Sequence, residues 1–266
     1  MIANAVTLLV VLLNITCSDT TKIDKSKLMG YDYRLFKNTR TWELAQAVER
    51  GDTAKIGLCV IANKNLISDR EPIYGQTLLI MAVENRNYNS VKKLLDLGAN
   101  PNLQDKFDGN SALMSAMDIR VEGDKGFVAD ARFLNILLRH GGNPNDIQKS
   151  GNIKSNRNHF TVLQRACSSG ITEYVKILLK AGADVNLNGG DGANPLFYAV
   201  VSRNPDIVLL LLNSGADFKD PILPEKKGRK WSLVETIDKM WTFDPKSDDK
   251  KKESMIKEWV KTHDVR

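Results

Sequence analysis

Only a few residue groups in this sequence have the types and spacing that catalysis would need. The segment at residues 188–192, NGGDG, is rich in glycine, and the backbone N–H groups of such segments can cradle a phosphate. It lacks the preceding strand and the following Lys-Ser/Thr pair of a phosphate loop, so we interpret it as a hairpin tip. No nucleophile stands beside a base, and no two carboxylates are paired for acid–base work. The sequence therefore predicts a protein that is not an enzyme and has no cofactor.

Cysteine and histidine are sparse in this chain. The three cysteines are Cys17, Cys59 and Cys167, and the three histidines are His140, His159 and His263. The cysteines are too scattered for a disulfide framework or a thiolate metal site. Each histidine lacks a second ligand at metal-binding spacing, so we expect no bound metal.

The net charge is positive, and both signs are mixed along the chain. A formal charge of +6 raises the question of an anionic partner, such as nucleic acid or a membrane surface. From Asp220 to the end, however, 12 Lys or Arg stand against 10 Asp or Glu. This mixture favours a solvated surface over a nucleic-acid site. The basic cluster at residues 226–230, KKGRK, leaves binding of nucleic acid or acidic lipid open as an alternative.

An apolar run lies near the start of the chain. Residues 5–13, AVTLLVVLL, have the length of a signal-peptide core and are too short to span a bilayer. The next residues, NITCSD, resemble a bacterial lipoprotein signal, which implies that Cys17 is acylated and becomes the mature N-terminus. Two alternatives stay open: a cleaved signal of a secreted protein, and a helix that packs on the end of the folded part. We therefore expect an exported protein of the cell envelope, either lipid-anchored or periplasmic.

A pattern of small, apolar and glycine positions returns four times along the middle of the chain. Each copy opens on Thr, Ser or Asn with an Ala five residues later, and it closes on an apolar run, a glycine and polar turn formers. The copies span residues 75–102, 111–145, 161–186 and 194–217. Successive openings are 34 residues apart from Thr77 to Ser111 and 33 apart from Thr161 to Asn194.

The interval from Ser111 to Thr161 is longer, at 50 residues. One part of the surplus is residues 122–127, between two predicted helices, and the other is residues 148–158, between two copies. The second insertion is polar and basic. Long loops of this kind are often functional, and a merely tolerated insertion is the open alternative.

Each copy predicts two short helices that must be buried together. In the first copy, Leu79, Ala82 and Val83 and then Val91, Leu94 and Leu95 recur at spacings of three and four, which gives each helix one apolar stripe. Alanine in the first helix permits close approach of its partner. Glycine after the second helix permits the left-handed conformation that ends it. These glycines are Gly98, Gly141, Gly182 and Gly215.

The four copies resemble the ankyrin-repeat consensus, in which a T-P-L-H-x-A helix start precedes an apolar helix and a G-A-D-x-N turn. The resemblance covers about residues 42–219. It implies an all-α solenoid of stacked helix-turn-helix units with β-hairpin fingers between them. Cys167 follows Ala166 at a position that the family fills with small buried residues, which predicts a packed thiol.

The expected domain organisation follows from these segments. We expect a signal peptide of the lipoprotein type at residues 1–19, a polar tether at 20–40, ankyrin repeats with an N-terminal cap at 41–219 and a degenerate C-terminal capping repeat at 220–266.

The resemblance also implies where a partner would bind, since ankyrin proteins use a concave face made of finger tips and first helices. The finger positions are Gln104, Asp105, Lys106, Phe107, Asp108, Asn188, Asp191 and Ala193. The first-helix positions are Met81, Glu84, Asn85, Asp118, Ile119, Ser168, Ser169, Tyr198, Val201 and Ser202. Phe107 is the strongest candidate, because aromatic residues often anchor interfaces and an aromatic side chain at a solvated hairpin tip contributes little to folding. Packing of Phe107 on the neighbouring finger is the open alternative.

We therefore expect a monomeric interaction module that binds one protein partner on its concave face. The resemblance to small exported bacterial ankyrin proteins implies an immunity or inhibitor role. The competing hypothesis is an envelope scaffold that stabilises a neighbouring enzyme. Contact with the membrane is expected only through the lipid anchor.

Overall fold

The computed structural model describes residues 23–117, 120–121, 127–128, 130–149, 159–190, 192–219 and 232–264. Within these ranges the α-helices form six consecutive pairs. The pairs are α1 (Trp42–Arg50) with α2 (Thr53–Ala62), α3 (Leu78–Glu84) with α4 (Tyr88–Asp96), α5 (Ala112–Ser115) with α6 (Ala131–Arg139), α7 (Val162–Ser169) with α8 (Thr172–Lys180), α9 (Pro195–Val201) with α10 (Pro205–Asn213), and α11 (Leu233–Met240) with α12 (Asp248–His263).

The pairs stack into two layers. Each first helix contacts the first helix of the next pair, from α1 through α11, and each second helix contacts the next second helix, from α2 through α12. The core lies between the layers and continues from unit to unit. This is the all-α ankyrin solenoid that the repeats predict. Within the described ranges, no helix combines the length and apolar character needed to span a bilayer.

Local sequence explains where the helices begin and end. The side chain of Thr77 accepts a hydrogen bond from the Ile80 N–H, and Thr161 and Gln164 cap α7 reciprocally. Asn194 caps α9, whose first residue is Pro195. The glycines predicted to end the second helices have positive φ angles, from 85° at Gly141 to 93° at Gly98. The predicted apolar stripes and first-helix alanines are buried.

Asparagine side chains join successive repeats in a ladder. Asn145 donates to the Gly182 carbonyl at 3.1 Å and accepts from the Asp184 N–H at 2.7 Å. Asn102 makes the same pair of bonds with Gly141 and Asn143, and Asn186 makes it with Gly215 and Asp217. The ladder holds neighbouring repeats at a fixed spacing along this edge of the stack.

Short hairpins, called fingers below, connect the pairs. Finger 1 is closed by a bridge from Arg70 to Thr77, finger 2 by one from Gln104 to Ser111, and finger 3 by one from Ile147 to Thr161. In the longer third unit, β1 (Arg120–Val121) pairs antiparallel with β2 (Phe127–Val128) between α5 and α6. The surplus at residues 122–126 and most of the insertion, residues 150–158, lie outside the described residues.

The N-terminal segment corrects the expected tether. Two 3₁₀ turns, Lys25–Lys27 and Tyr33–Phe36, precede α1, and Tyr33, Leu35 and Phe36 are at most 4% exposed. The polar composition of residues 20–40 concealed this apolar group. Residues 28–36, called the strap below, therefore belong to the folded domain.

Candidate functional site

A cleft of about 390 Å³ opens between the strap, fingers 1 and 2, and the first-helix layer. Fingers and first helices are the elements in which the resemblance predicts partner contacts. Twelve residues from these elements line it: Met29, Gly30, Tyr31, Tyr74, Gln76, Glu84, Arg86, Asp105, Phe107, Asp108, Asn110 and Ser115.

Hydrogen bonds from the repeats hold the strap along one side of the cleft. The Tyr74 hydroxyl donates to the Leu28 carbonyl at 2.8 Å, and the Asn85 amide donates to the Tyr31 carbonyl at 2.8 Å. Gly30 lies directly against Gln76, where an added Cβ would come 3.2 Å from Nε2. The strap is therefore fixed by its backbone, and its Met29 and Tyr31 side chains remain 60% and 39% exposed.

Two aromatic rings form the opposite rim. Tyr74 of finger 1 and Phe107 of finger 2 meet edge to face, with ring centroids 5.4 Å apart. Phe107 nevertheless remains 44% exposed. The ring therefore packs on the neighbouring finger and also presents apolar surface to solvent, and its role as an interface anchor stays a prediction.

The floor of the cleft is polar. Gln76 Nε2 donates to both carboxylate oxygens of Glu84, at 3.1 and 3.2 Å, and the Ser115 hydroxyl donates to the same carboxylate at 3.3 Å. Gln76 is only 7% exposed, and its Oε1 accepts no hydrogen bond from the described residues. An acceptor left without a donor in a buried setting is energetically costly.

Asp105 shapes the tip of finger 2. Its carboxylate accepts from the backbone N–H groups of the next residues of the tip, Phe107, Asp108, Gly109 and Asn110, at 2.6–3.1 Å. Asp105 is 6% exposed, so its expected role as a partner contact is corrected to a structural one. The interaction fixes the direction in which Phe107 projects.

Finger 3 supports finger 2 from the other side. Gln104 donates to Asp146 and to the Ile147 carbonyl, both at 2.8 Å, and accepts from the Lys149 N–H. Gln148, 4% exposed, donates to the Asp108 carbonyl at 2.6 Å. The Gln104 amide thus joins two fingers, and its predicted contact with a partner stays a prediction.

Two further predicted contacts are buried in the core. Met81 is fully buried, and Tyr198 is 7% exposed and packs against Phe160 and Phe197. Ala193, also expected at a finger tip, is 1% exposed, and its carbonyl accepts from the Gln164 amide. These three residues are corrected to core positions. The repeat pattern located these helices and turns. It did not show whether a given side chain lies on the exposed inner face or in a contact between helices.

The remaining described candidates are accessible to different degrees. Glu84, Phe107 and Asp108 line the cleft, and Lys106 is exposed beside it. Asn85 is exposed but bonded to the strap, and the hydroxyls of Ser169 and Ser202 each donate to the backbone carbonyl three residues earlier. Asn188, Ser168 and Val201 are exposed away from the cleft. Asp118, Ile119, Asp191 and Cys17 lie outside the described residues, as does the 226–230 cluster.

Sequence inspection missed the strap, Tyr74 of the rim, and Gln76 and Ser115 of the floor. Met29 and Tyr31 fall in the segment expected to be a tether, and Tyr74 precedes the first clear repeat. The available signal was the aromatic density of residues 31–36, YDYRLF, which is unusual for a tether.

The glycine-rich segment and Cys167 are both in close contact with the rest of the fold. Gly189 lies against the His159 carbonyl, where an added Cβ would be 2.3 Å away, and the Gly190 N–H donates to that carbonyl at 2.9 Å. Cys167 is fully buried, and burial raises the pKa of its thiol, which disfavours the nucleophilic thiolate. Among the described residues, no group of three or more His, Cys, Asp or Glu could hold a metal ion.

Comparisons with known proteins agree with this architecture. The family described as "Ankyrin repeats (3 copies)" matches residues 127–221, and "Ankyrin repeat" matches residues 74–106. Protein PhlB of Serratia liquefaciens is 33% identical over 175 residues, which cover 66% of this chain and 68% of PhlB. The putative ankyrin repeat protein YahD of Escherichia coli K12 is 29% identical over 69% of this chain and 83% of its own length.

A human relative shares the repeats within a much larger protein. The transient receptor potential cation channel subfamily A member 1 is 30% identical over 56% of this chain, a match that covers 15% of the channel protein. Ankyrin repeats are protein–protein interaction modules, and proteins built from them are generally not enzymes. The chain belongs to the ankyrin-repeat family, as its sequence repeats, its stacked helix pairs and these matches show.

Proposed function

We propose that this chain holds one protein partner on its concave face, with the cleft at fingers 1 and 2 as the centre of the contact. The observation that carries the proposal is the exposure of Phe107, Tyr31 and Met29 around one cleft, at 44%, 39% and 60%. Exposed apolar groups clustered around a concave site favour association with another macromolecule. Aromatic residues at the centre of an interface commonly supply much of its binding free energy.

The rigidity of the site supports the same proposal. Phe107 is fixed by Tyr74 and by the Asp105 turn, and finger 2 is bonded to finger 3 through Gln104 and Gln148. A contact surface that is already ordered loses less conformational entropy when its partner binds. The polar floor adds directional hydrogen bonds that an apolar patch alone would lack.

We further propose that the module acts outside the cytoplasm, exported and anchored through Cys17. The support is in the sequence, where the apolar run at residues 5–13 precedes NITCSD. A Cys17→Ser variant should leave the membrane fraction and lose incorporation of a labelled fatty acid. Continued labelling or membrane association of that variant would contradict the anchor.

Within this proposal the partner is an enzyme that the module keeps inactive, as an immunity or inhibitor protein does. This step rests on the resemblance to small exported ankyrin proteins. It is tested by adding the purified module to the identified partner, whose activity should fall in proportion to the complex formed. Unchanged or increased activity in the complex would favour a scaffold role instead.

The binding site itself is tested by photo-cross-linking in the native cell. A photoreactive amino acid is placed at position 107 in one variant and at position 61 in a matched control, because Ile61 is 79% exposed on α2, a second helix. We expect one protein to be cross-linked from position 107 and not from position 61. Equal cross-linking from both positions, or none from position 107, would contradict the proposed site.

A further inference from the structure

The chemical character of the cleft indicates which side chain it accepts. We propose that the cleft binds an arginine side chain of the protein partner, an inference that rests on the proposed function and deepens it. Three features carry it: the local charge, an unsatisfied acceptor and exposed aromatic rings.

The cleft is negative within a positive protein. Among the described residues, three carboxylates line it, those of Glu84, Asp105 and Asp108, together with the Arg86 guanidinium, which gives a formal charge of −2. With Lys106, which is exposed beside the cleft, the formal charge is −1. The whole chain carries +6. The Arg86 guanidinium is directed toward α6, since it lies 5.5 Å from the Phe133 ring centroid and donates to the Ala116 carbonyl at 3.3 Å. The field in the cleft therefore favours a cation.

The floor contains an unsatisfied hydrogen-bond acceptor. The Glu84 carboxylate fixes the orientation of the Gln76 amide, because only the Nε2 end can donate to it. Gln76 Oε1 is thereby left buried without a donor from the part of the chain that the structure describes. A ligand with several N–H groups can satisfy this oxygen and the carboxylate together, whereas a single hydroxyl cannot.

The rim favours arginine over lysine. Phe107 and Tyr31 line the cleft and are partly exposed. A guanidinium can stack on an aromatic ring while its N–H groups, which lie in its own plane, remain free to donate hydrogen bonds. The guanidinium also sheds its hydration more readily than an ammonium group. An arginine can thus use the aromatic rim and the acidic floor at once.

The test uses a defined probe and an uncharged isostere. Isotope-labelled full-length protein is titrated with N-acetyl-arginine amide and, separately, with N-acetyl-citrulline amide, and backbone amide shifts are followed by NMR. We expect shifts centred on Gln76, Phe107 and Ser115, and binding of the arginine compound about tenfold tighter than the citrulline compound, because charge-assisted hydrogen bonds are the stronger ones. Equal binding of the two compounds would overturn the proposal.

Variants connect the binding to these side chains. Glu84→Gln and Phe107→Ala should each remove most of the preference for arginine, and Ile61→Ala should retain it. Phe107 is partly exposed, so its variant keeps the test decisive if Glu84→Gln fails to fold. Preference retained in folded Phe107→Ala would also overturn the inference. If a partner is cross-linked from position 107 but arginine is not preferred over citrulline, the arginine inference fails and the proposed function stands. If arginine is preferred but no partner is cross-linked, the proposed function fails.

Discussion

The rings of Tyr74 and Phe107, 33 residues apart in the chain, meet edge to face with centroids 5.4 Å apart. The contact joins the tips of two successive fingers. Because Phe107 remains 44% exposed, one side chain both fixes the finger spacing and offers apolar surface beside an acidic cleft. Structural and binding contributions of this residue must therefore be measured separately.

The aromatic contact should be measurable as a coupling energy. We expect Tyr74→Leu and Phe107→Leu to be non-additive in a double-mutant cycle on the free energy of unfolding, with a coupling of about 0.5–1.5 kcal/mol, typical of edge-to-face aromatic pairs. Urea unfolding of the four proteins gives this number. Additive effects would mean that the rings do not stabilise one another.

Asp105 should contribute more to the free energy of unfolding than Lys106, its neighbour in the same tip. Replacing it by Ala leaves four backbone N–H groups without their acceptor, two of them on buried residues, and we expect a loss of about 2–3 kcal/mol of stability. Lys106→Ala is the control, since that side chain is exposed, and its effect should stay within about 0.5 kcal/mol. Similar effects of the two variants would contradict the structural role of Asp105.

The asparagine ladder predicts that two asparagines differ in their contribution to stability. Asn145 bonds to the next repeat, whereas Asn135 donates to the Ala131 carbonyl within its own helix. We expect Asn145→Ala to lower the free energy of unfolding by about 1 kcal/mol because two hydrogen bonds between repeats are lost. Asn135→Ala should be nearly neutral. The reverse order in chemical denaturation would count against the ladder.

An ion pair near the strap predicts that the stability of the fold depends on pH. The Arg40 guanidinium donates to the Asp69 carboxylate and Thr41 donates to it as well, and together they lower the pKa of Asp69 below its ordinary value of 3.8. A lowered folded-state pKa gives stability that is present above 3.8 and is lost as the pH falls through the folded pKa.

Asp69→Asn should therefore destabilise the protein at pH 7, and the difference from the wild type should shrink below pH 3.8. The measurement is the free energy of unfolding in urea at several pH values. A difference that stays constant across this range would show that the carboxylate charge does not contribute.

The sequence predicted the scaffold well because local rules specify it. Alanine in the first helices, left-handed glycines such as Gly182 and capping residues such as Thr161 each act within a few residues of chain. Periodicity then identifies the buried stripes. These rules predict the repeat units and their stacking without knowledge of distant contacts.

The cleft could be predicted only in part because it depends on contacts between distant segments. Asp105 and Gln104 looked like free polar residues, and only the folded fingers show which N–H groups and carbonyls they bond. Met81 lies in a predicted first helix, yet its side chain points into the core. Tyr31 reaches the site through Asn85, 54 residues away, a pairing that no local pattern indicates.

The most direct test of the central claim is the equilibrium affinity of the cross-linked partner, once purified, for three forms of this protein. We expect Phe107→Ala to weaken binding by at least about tenfold, as the loss of an interface anchor does, and Ile61→Ala to bind like the wild type. Circular dichroism should show that all three are equally folded. If Phe107→Ala binds as tightly as the wild type, or if Ile61→Ala is weakened as much, the partner does not bind at the cleft.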